Sequence, residues 1–248
     1  TYLAARVRAL LADDKARKHL PGPVRDWLAM QCRRSILPGP DGLLVEGFPR
    51  GGKHYLVCYP FEGRLAHQTL GMLLTRRMER AGHRPFGFVA SEYALAVWSL
   101  NQVDDVDLLF GEDMLGDDLE EWLAESNLMK RTFRNVALIA GLIDRRHPGQ
   151  EKTGRQMTFS SDLIYDVLRK YEPGHILLRA TQADAVTGFL DIGRLGEMLA
   201  RVQGRIQLRQ LDRVSPLAVP LMLEIGREAV HGESMEELLS EASDGLAD

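Results

Sequence analysis

Leu43-Leu44-Val45-Glu46-Gly47-Phe48-Pro49-Arg50-Gly51-Gly52-Lys53-His54-Tyr55-Leu56-Val57-Cys58-Tyr59 is the stretch from which the fold class can be read. Residues 43–48 are bounded by Gly42 and Pro49 and read as a strand. Gly51-Gly52 is a turn signal, and His54 to Tyr59 reads as the paired strand. A helical pattern follows from about Arg64 to Arg80, and Gly82 and Pro85 stop it. Phe86 to Ala90 and Tyr93 to Trp98 are further strand candidates. Upstream, Leu3, Val7, Leu10 and Leu11 recur at helical spacing, so residues 2–13 read as an amphipathic helix. After Pro21 and Pro23, the residues Val24, Trp27, Leu28 and Cys32 form a second stripe that ends near Ser35.

Downstream the chain changes character. Residues 104–125 hold ten acids and no Lys or Arg. Residues 130–155 hold Lys130, Arg131, Arg134, Arg145, Arg146, Lys152 and Arg155 against Asp144 and Glu151. Leu128 to Leu142 reads as a helix with Phe133, Val136, Ala137 and Ala140 inside. Further helices are predicted near 161–170, 175–188 and 192–202, then a strand at 205–211 and a last helix near 234–240. The class is α+β, with β-hairpins and a small mixed sheet in the first 100 residues and a mainly helical second half. The whole of 1–248 reads as one domain, with possible sub-parts 1–103 and 104–248.

The 248 residues suffice for a sizeable core, and their composition is that of a soluble globular chain. A net charge of −4 means that any nucleic-acid site must be a local patch. Cys32 and Cys58 lie far apart, outside any CxxC spacing, so both read as buried free thiols in a reducing, cytoplasmic setting. No run approaches the roughly 18 apolar residues of a membrane span. The chain opens at Thr1-Tyr2-Leu3-Ala4 inside a helical pattern, and reads as a piece of a longer chain.

Catalytic motifs are hard to find. In Pro148-Gly149-Gln150-Glu151-Lys152-Thr153-Gly154 the position before the lysine, which a phosphate loop reserves for glycine, is Glu151, and the earlier glycine position is Arg146. The histidines, His54, His67, His147 and His231 among them, lack HxxxH or HExxH spacing, so no metal site is expected. Asp117, Asp118, Glu120 and Glu121 suit the first turn of a helix better than a two-metal centre. No cofactor is expected in this segment. Trp27 and Trp122 fit apolar stripes, and Trp98 ends a strand.

The basic run allows two readings. Lys130, Arg131 and Arg134 lie on adjacent turns of one predicted helix, with Arg145, Arg146, Lys152 and Arg155 on the loop after it, an arrangement that could follow a phosphate backbone. Alternatively the run is a solvated face paired with the acids just before it.

Four blocks carry a resemblance. They are Tyr59-Pro60-Phe61-Glu62-Gly63-Arg64-Leu65-Ala66-His67-Gln68-Thr69-Leu70-Gly71, the run from Met129 to Leu142, the run from Gly154 to Leu168, and Val214-Ser215-Pro216-Leu217-Ala218-Val219-Pro220. Together they resemble the DEAD/H-associated domain of Lhr-type superfamily 2 helicases, in wording nearest the ligase-associated DEXH-box subgroup. The resemblance implies an accessory C-terminal domain of an ATP-dependent 3′-to-5′ DNA helicase or translocase acting in DNA repair. It implies single-stranded DNA and upstream RecA-like and winged-helix domains as partners, with a DNA ligase and a nuclease as candidates beside them. ATP and Mg would belong to the parent motor, whose motifs this segment lacks, so the segment alone is not expected to be an enzyme. Two alternatives are a protein-interaction scaffold without DNA contact and, more remotely, a base-excision enzyme. For the latter, Glu62 in the Pro60–Arg64 turn would be the acid to test, against a simple ion pair with Arg64 or an acid at a helix N-terminus.

Overall fold

The computed structural model describes residues 2–125, 127–143, 146–147, 150–151, 154–189 and 191–228. Along the chain come α1 (Tyr2–Ala12), α2 (Asp14–Arg17), α3 (Gly22–Arg34), β1 (Leu43–Arg50), β2 (Lys53–Cys58), α4 (Arg64–Arg80), β3 (Pro85–Ala90) and β4 (Leu95–Ser99). Two 3₁₀ turns follow at Asp107–Phe110 and Glu112–Leu115. Then come α5 (Asp117–Glu125), α6 (Asn127–Ile139), β5 (Arg146–His147), β6 (Gln150–Glu151), α7 (Gly154–Tyr171), α8 (Ile176–Phe189), α9 (Ile192–Val202), β7 (Ile206–Gln210) and α10 (Val219–Glu228). The α+β class read from the sequence holds. Two compact units form, one from Thr1–Met114 with Ile192–Asp248, the other from Leu115–Asp191.

Unit 1 is built on a mixed sheet of order β3-β4-β2-β1-β7. Its hairpins are antiparallel, with Val45 opposite Cys58 and Arg50 opposite Lys53. β7 lies parallel to β1 at the edge, Val45 opposite Leu208. Six consecutive residues of β1 are buried, because helices cover both faces. On one face α4 packs on β3, β4 and α9. Gly71 makes this possible, since any side chain there would collide with the Phe88 ring. On the other face Leu44, Phe48, Tyr55, Val57 and Ala96 join Ala4, Leu11, Leu28 and Leu221 in one core. Phe48 and Tyr55 stack at 5.7 Å, and Trp98 continues the row 6.5 Å beyond Tyr55.

Unit 2 is helical. Met129, Thr132, Phe133, Val136 and Ala137 are buried along α6 at helical spacing, and α6 packs against both α7 and α8. Phe133 meets Tyr165 of α7 edge-on at 5.4 Å. In α5, Asp117, Asp118 and Glu120 occupy the first turn, where the helix dipole favours negative charge.

Some expectations need correction. Cys32 is exposed, and its neighbour Gln31 turns inward instead. The reason is a buried polar partner: Gln31 Nε2 donates to Glu46 Oε1 at 2.8 Å. α10 has no counterpart among the helices expected from the sequence. The helix expected near 234–240 lies outside the described residues.

Candidate nucleic-acid interface

Lys130, Arg131 and Arg134 share α6, whose apolar positions face inward, so these cations are held at the surface of unit 2. Arg131 is exposed. Lys130 and Arg134 lie toward α7. Lys130 Nζ donates to Asp166 Oδ2 at 2.7 Å, and Arg134 Nη2 to Asp162 Oδ1 at 3.3 Å. Arg134 Nε also donates to Ser161 Oγ at 3.1 Å. The two pairs step four residues along each helix in opposite directions, as an antiparallel helix pair requires. For Lys130 and Arg134 the paired acids therefore come from the helix after them. Half-exposed pairs of this kind contribute little stability, roughly 0–1 kcal/mol.

Arg146 lies in β5 and Arg155 in the first turn of α7, but their side chains fall outside the described residues. Arg145 and Lys152 lie outside them altogether. The strip is thus brought together at Lys130, Arg131 and Arg134. Beside it α7 leaves Leu163, Val167 and Tyr171 exposed on one stripe.

Glu62 has a different setting from the one expected. Arg8 Nη1 and Arg201 Nη2 both donate to its Oε1, at 3.0 and 2.8 Å. Both also reach Pro60 O, and Arg194 Nη1 donates to Glu62 O at 2.9 Å. Burial lowers the pKa of Arg201, with Arg8 adding repulsion. His67, almost fully buried, accepts the Glu62 N–H at Nε2 (3.0 Å), and its Nδ1 lies 2.7 Å from Ser91 O. That geometry fits the neutral Nδ1–H tautomer. Burial pushes the His67 pKa down to about 4. Guanidinium and imidazole groups thus staple the 60–63 turn, where Phe61 and Gly63 hold positive φ. Glu62 carries the ion pairs that hold this turn, a structural office rather than that of a free acid. Sequence proximity pointed to Arg64; the observed guanidiniums arrive from 54 and 139 positions away.

Sequence reasoning also missed the buried carboxylate of Glu46. It lies on the α3 side of β1 with no exposed surface. Tyr59 Oη donates to Oε2 at 2.7 Å, and Ser215 Oγ donates to the same oxygen. Burial, and next the adjacent Glu46 charge, raise the Tyr59 pKa. The available signal was an acid amid apolar strand residues. Near Tyr59 an apolar cavity of about 620 Å³ opens, lined by Val7, Leu11, Trp27, Phe61 and Tyr93 among others. Its lining does not suit a phosphate. Among the described residues, no group of His, Cys, Asp or Glu could hold a metal ion, and no helix is long and apolar enough to cross a membrane.

A family model described as DEAD/H associated matches residues 37–218. The chain belongs to the DEAD/H associated family. The match runs from β1 through both units to the turn before α10 and includes the whole α6–α7 strip. The chain is 21% identical over 223 residues to an ATP-dependent helicase Lhr-Core of Methanocaldococcus jannaschii, covering 88% of this chain and 26% of that protein. It is 25% identical over 236 residues to ATP-dependent helicase Lhr-Core protein 2 of Thermococcus barophilus, covering 92% and 27%. The fold matches that of Mycobacterium smegmatis helicase Lhr, solved bound to ssDNA and AMP-PNP, with a TM-score of 0.69 and 22% identity. That match covers 89% of this chain and 31% of the other. The DEAD/H associated chain thus spans under a third of each relative's length, and these likenesses support an Lhr-type superfamily 2 helicase domain.

Proposed function

We propose that this chain is the accessory C-terminal portion of an ATP-dependent 3′-to-5′ DNA helicase or translocase, and that it helps to bind and guide single-stranded DNA. The family match over 37–218 carries the helicase association. The exposed cation of α6, Arg131, with Lys130 and Arg134 beside it, supports a phosphate-tracking strip. Arg145, Arg146, Lys152 and Arg155 are proposed to extend it. ATP and Mg would be bound by RecA-like motor lobes elsewhere in a longer protein, next to a winged helix. A role in DNA repair, with a DNA ligase and a nuclease as partners, and a cytoplasmic setting belong to the same proposal.

A second reading is a scaffold that packs on the motor or a repair partner without touching DNA. Two observations favour it: Lys130 and Arg134 are already paired with acids, and α7 exposes Leu163, Val167 and Tyr171. Salt dependence of oligonucleotide binding separates the two. Removing one cation from a phosphate should flatten the log–log salt slope by about 0.7 on single strands. An Arg131→Ala, Arg134→Ala, Arg155→Ala variant that keeps its fold should show a slope shallower by about two. An unchanged slope and affinity would assign the strip to a protein partner.

A further inference from the structure

Three segments of unit 1 meet at the hairpin end of its sheet: Arg50 to His54, Arg80 to Gly87, and Trp98 to Val103. Strand register brings them together, with Arg50 opposite Lys53, His54 opposite Ser99, and Pro85 opposite Ser99 from the other side. Beyond the register, Leu100 N–H donates to Arg84 O at 3.1 Å and Asn101 N–H to His83 O at 3.1 Å. Asn101 Nδ2 donates to Gly82 O at 2.9 Å. These bonds hold Arg84 at a φ of 54°, a left-handed backbone unusual for arginine.

The three segments contain Arg50, Lys53, Arg80 and Arg84, with His54 and His83; the nearest acids in sequence are Glu79 and Asp104, and Asp104 Oδ1 accepts from Gln102 Nε2 at 2.6 Å. In a chain of net charge −4 this is a local concentration of positive charge. Arg84 and Lys53 are exposed. Phe86, on the edge strand, is 57% exposed, and Lys53 Nζ lies 5.8 Å from the centre of its ring. Next to it Gly87 lies so close to Trp98 that an added Cβ would come within 2.9 Å of the indole. Trp98 is half-buried at the end of the aromatic row from Phe48 through Tyr55. An exposed ring on a strand, with Lys53 beside it and the exposed Arg84 two residues before it, suits an unpaired base better than an apolar protein surface, which would leave the cations desolvated.

We propose that the hairpin end of the unit 1 sheet is a second single-stranded nucleic-acid contact, in which Phe86 stacks on a base and Lys53 and Arg84 take flanking phosphates. It rests on the reading of the chain as a single-strand binder, but on different residues from the α6 strip.

The test is fluorescence anisotropy of labelled oligothymidylate with the 248-residue chain over a KCl series. Phe86→Ala should weaken binding by about 5- to 150-fold, the range for one stacked base. Phe86→Leu should fail to restore it and Phe86→Trp should. Lys53→Ala with Arg84→Ala should flatten the salt slope by about 1.4. Phe86 is exposed, so the thermal melt of each variant should match the parent, and a photoreactive thymine analogue in the oligonucleotide should cross-link to residues 84–87. Wild-type affinity in Phe86→Ala, or full rescue by Leu, would overturn the platform. Loss in the Phe86 variants with none in Arg131→Ala would uphold it while the α6 strip fails. Loss in the strip variant alone would overturn it while single-strand guiding stands, and no binding by the parent chain at low salt would overturn both.

Discussion

Glu46 and His67 are buried polar residues that stabilise unit 1 by opposite means. Glu46 is solvated by neutral donors, from Tyr59, Ser215 and Gln31, that reach it from α3, the end of β2 and the turn before α10. Gln31 Oε1 in turn accepts the Leu217 N–H at 3.0 Å. Glu46→Ala leaves these donors facing an apolar hole, and should cost about 3 kcal/mol or more, read as a lower urea midpoint at unchanged m-value. His67 must stay neutral to accept the Glu62 N–H. Its pKa falls from about 6.5 in the unfolded chain to about 4 in the fold. Between those values the unfolded chain binds more protons, so stability is full above about pH 6.5 and drains away as pH falls through 4. The whole loss is about 3 kcal/mol. Urea midpoints of the wild type should drop between about pH 7.5 and pH 4.5, and His67→Asn should flatten that drop; equal slopes would place the titration elsewhere. Neither role was legible in the sequence, because an acid in a strand and a histidine in a helix acquire their meaning from partners far along the chain.

The elements themselves were more legible. α4 begins and ends at the predicted Arg64 and Arg80, because Gly63, Gly82 and Pro85 leave little room for error. The first hairpin was readable from Gly51-Gly52, both at positive φ. α10 was not: no helix is read from the sequence there, although Pro220 sits in the helix's first turn, where a missing N–H costs nothing. What Gly71 does was equally hidden, since the closeness of α4 to Phe88 is a tertiary fact. Gly71→Ala should gain helix propensity yet lose about 1–2 kcal/mol net by displacing the Phe88 ring, measurable as a lower melting temperature. In unit 2, grouping Lys130, Arg131 and Arg134 on one helix needed only the helical period. Their acidic partners needed the antiparallel course of α7. Asp162→Asn with Asp166→Asn should change stability by about 1 kcal/mol or less, while freeing two cations and tightening oligonucleotide binding. Unaltered affinity would favour the scaffold reading.

At the scale of the molecule, unit 1 is discontinuous, since its last third arrives after unit 2. Sequence periodicity finds strands and helices but cannot say that a strand near residue 206 pairs with one near residue 43. That distant pairing also fixes a prediction. A chain ending at Asp191 lacks β7, the Ser215 donor to Glu46, and the buried Leu195, Met198 and Leu221. It should lose the cooperative unfolding of unit 1, seen as a non-cooperative melt with dye-binding apolar surface. The parallel register of Leu43 with Ile206 has a further effect during synthesis. At about 5–20 residues per second, the ribosome needs roughly 10–30 s between making β1 and making its edge partner. For that time the newborn chain carries an apolar strand with an open hydrogen-bonding edge, a template for pairing with a neighbouring nascent chain. Yield of soluble protein should therefore depend on translation speed and on chaperone supply over that interval.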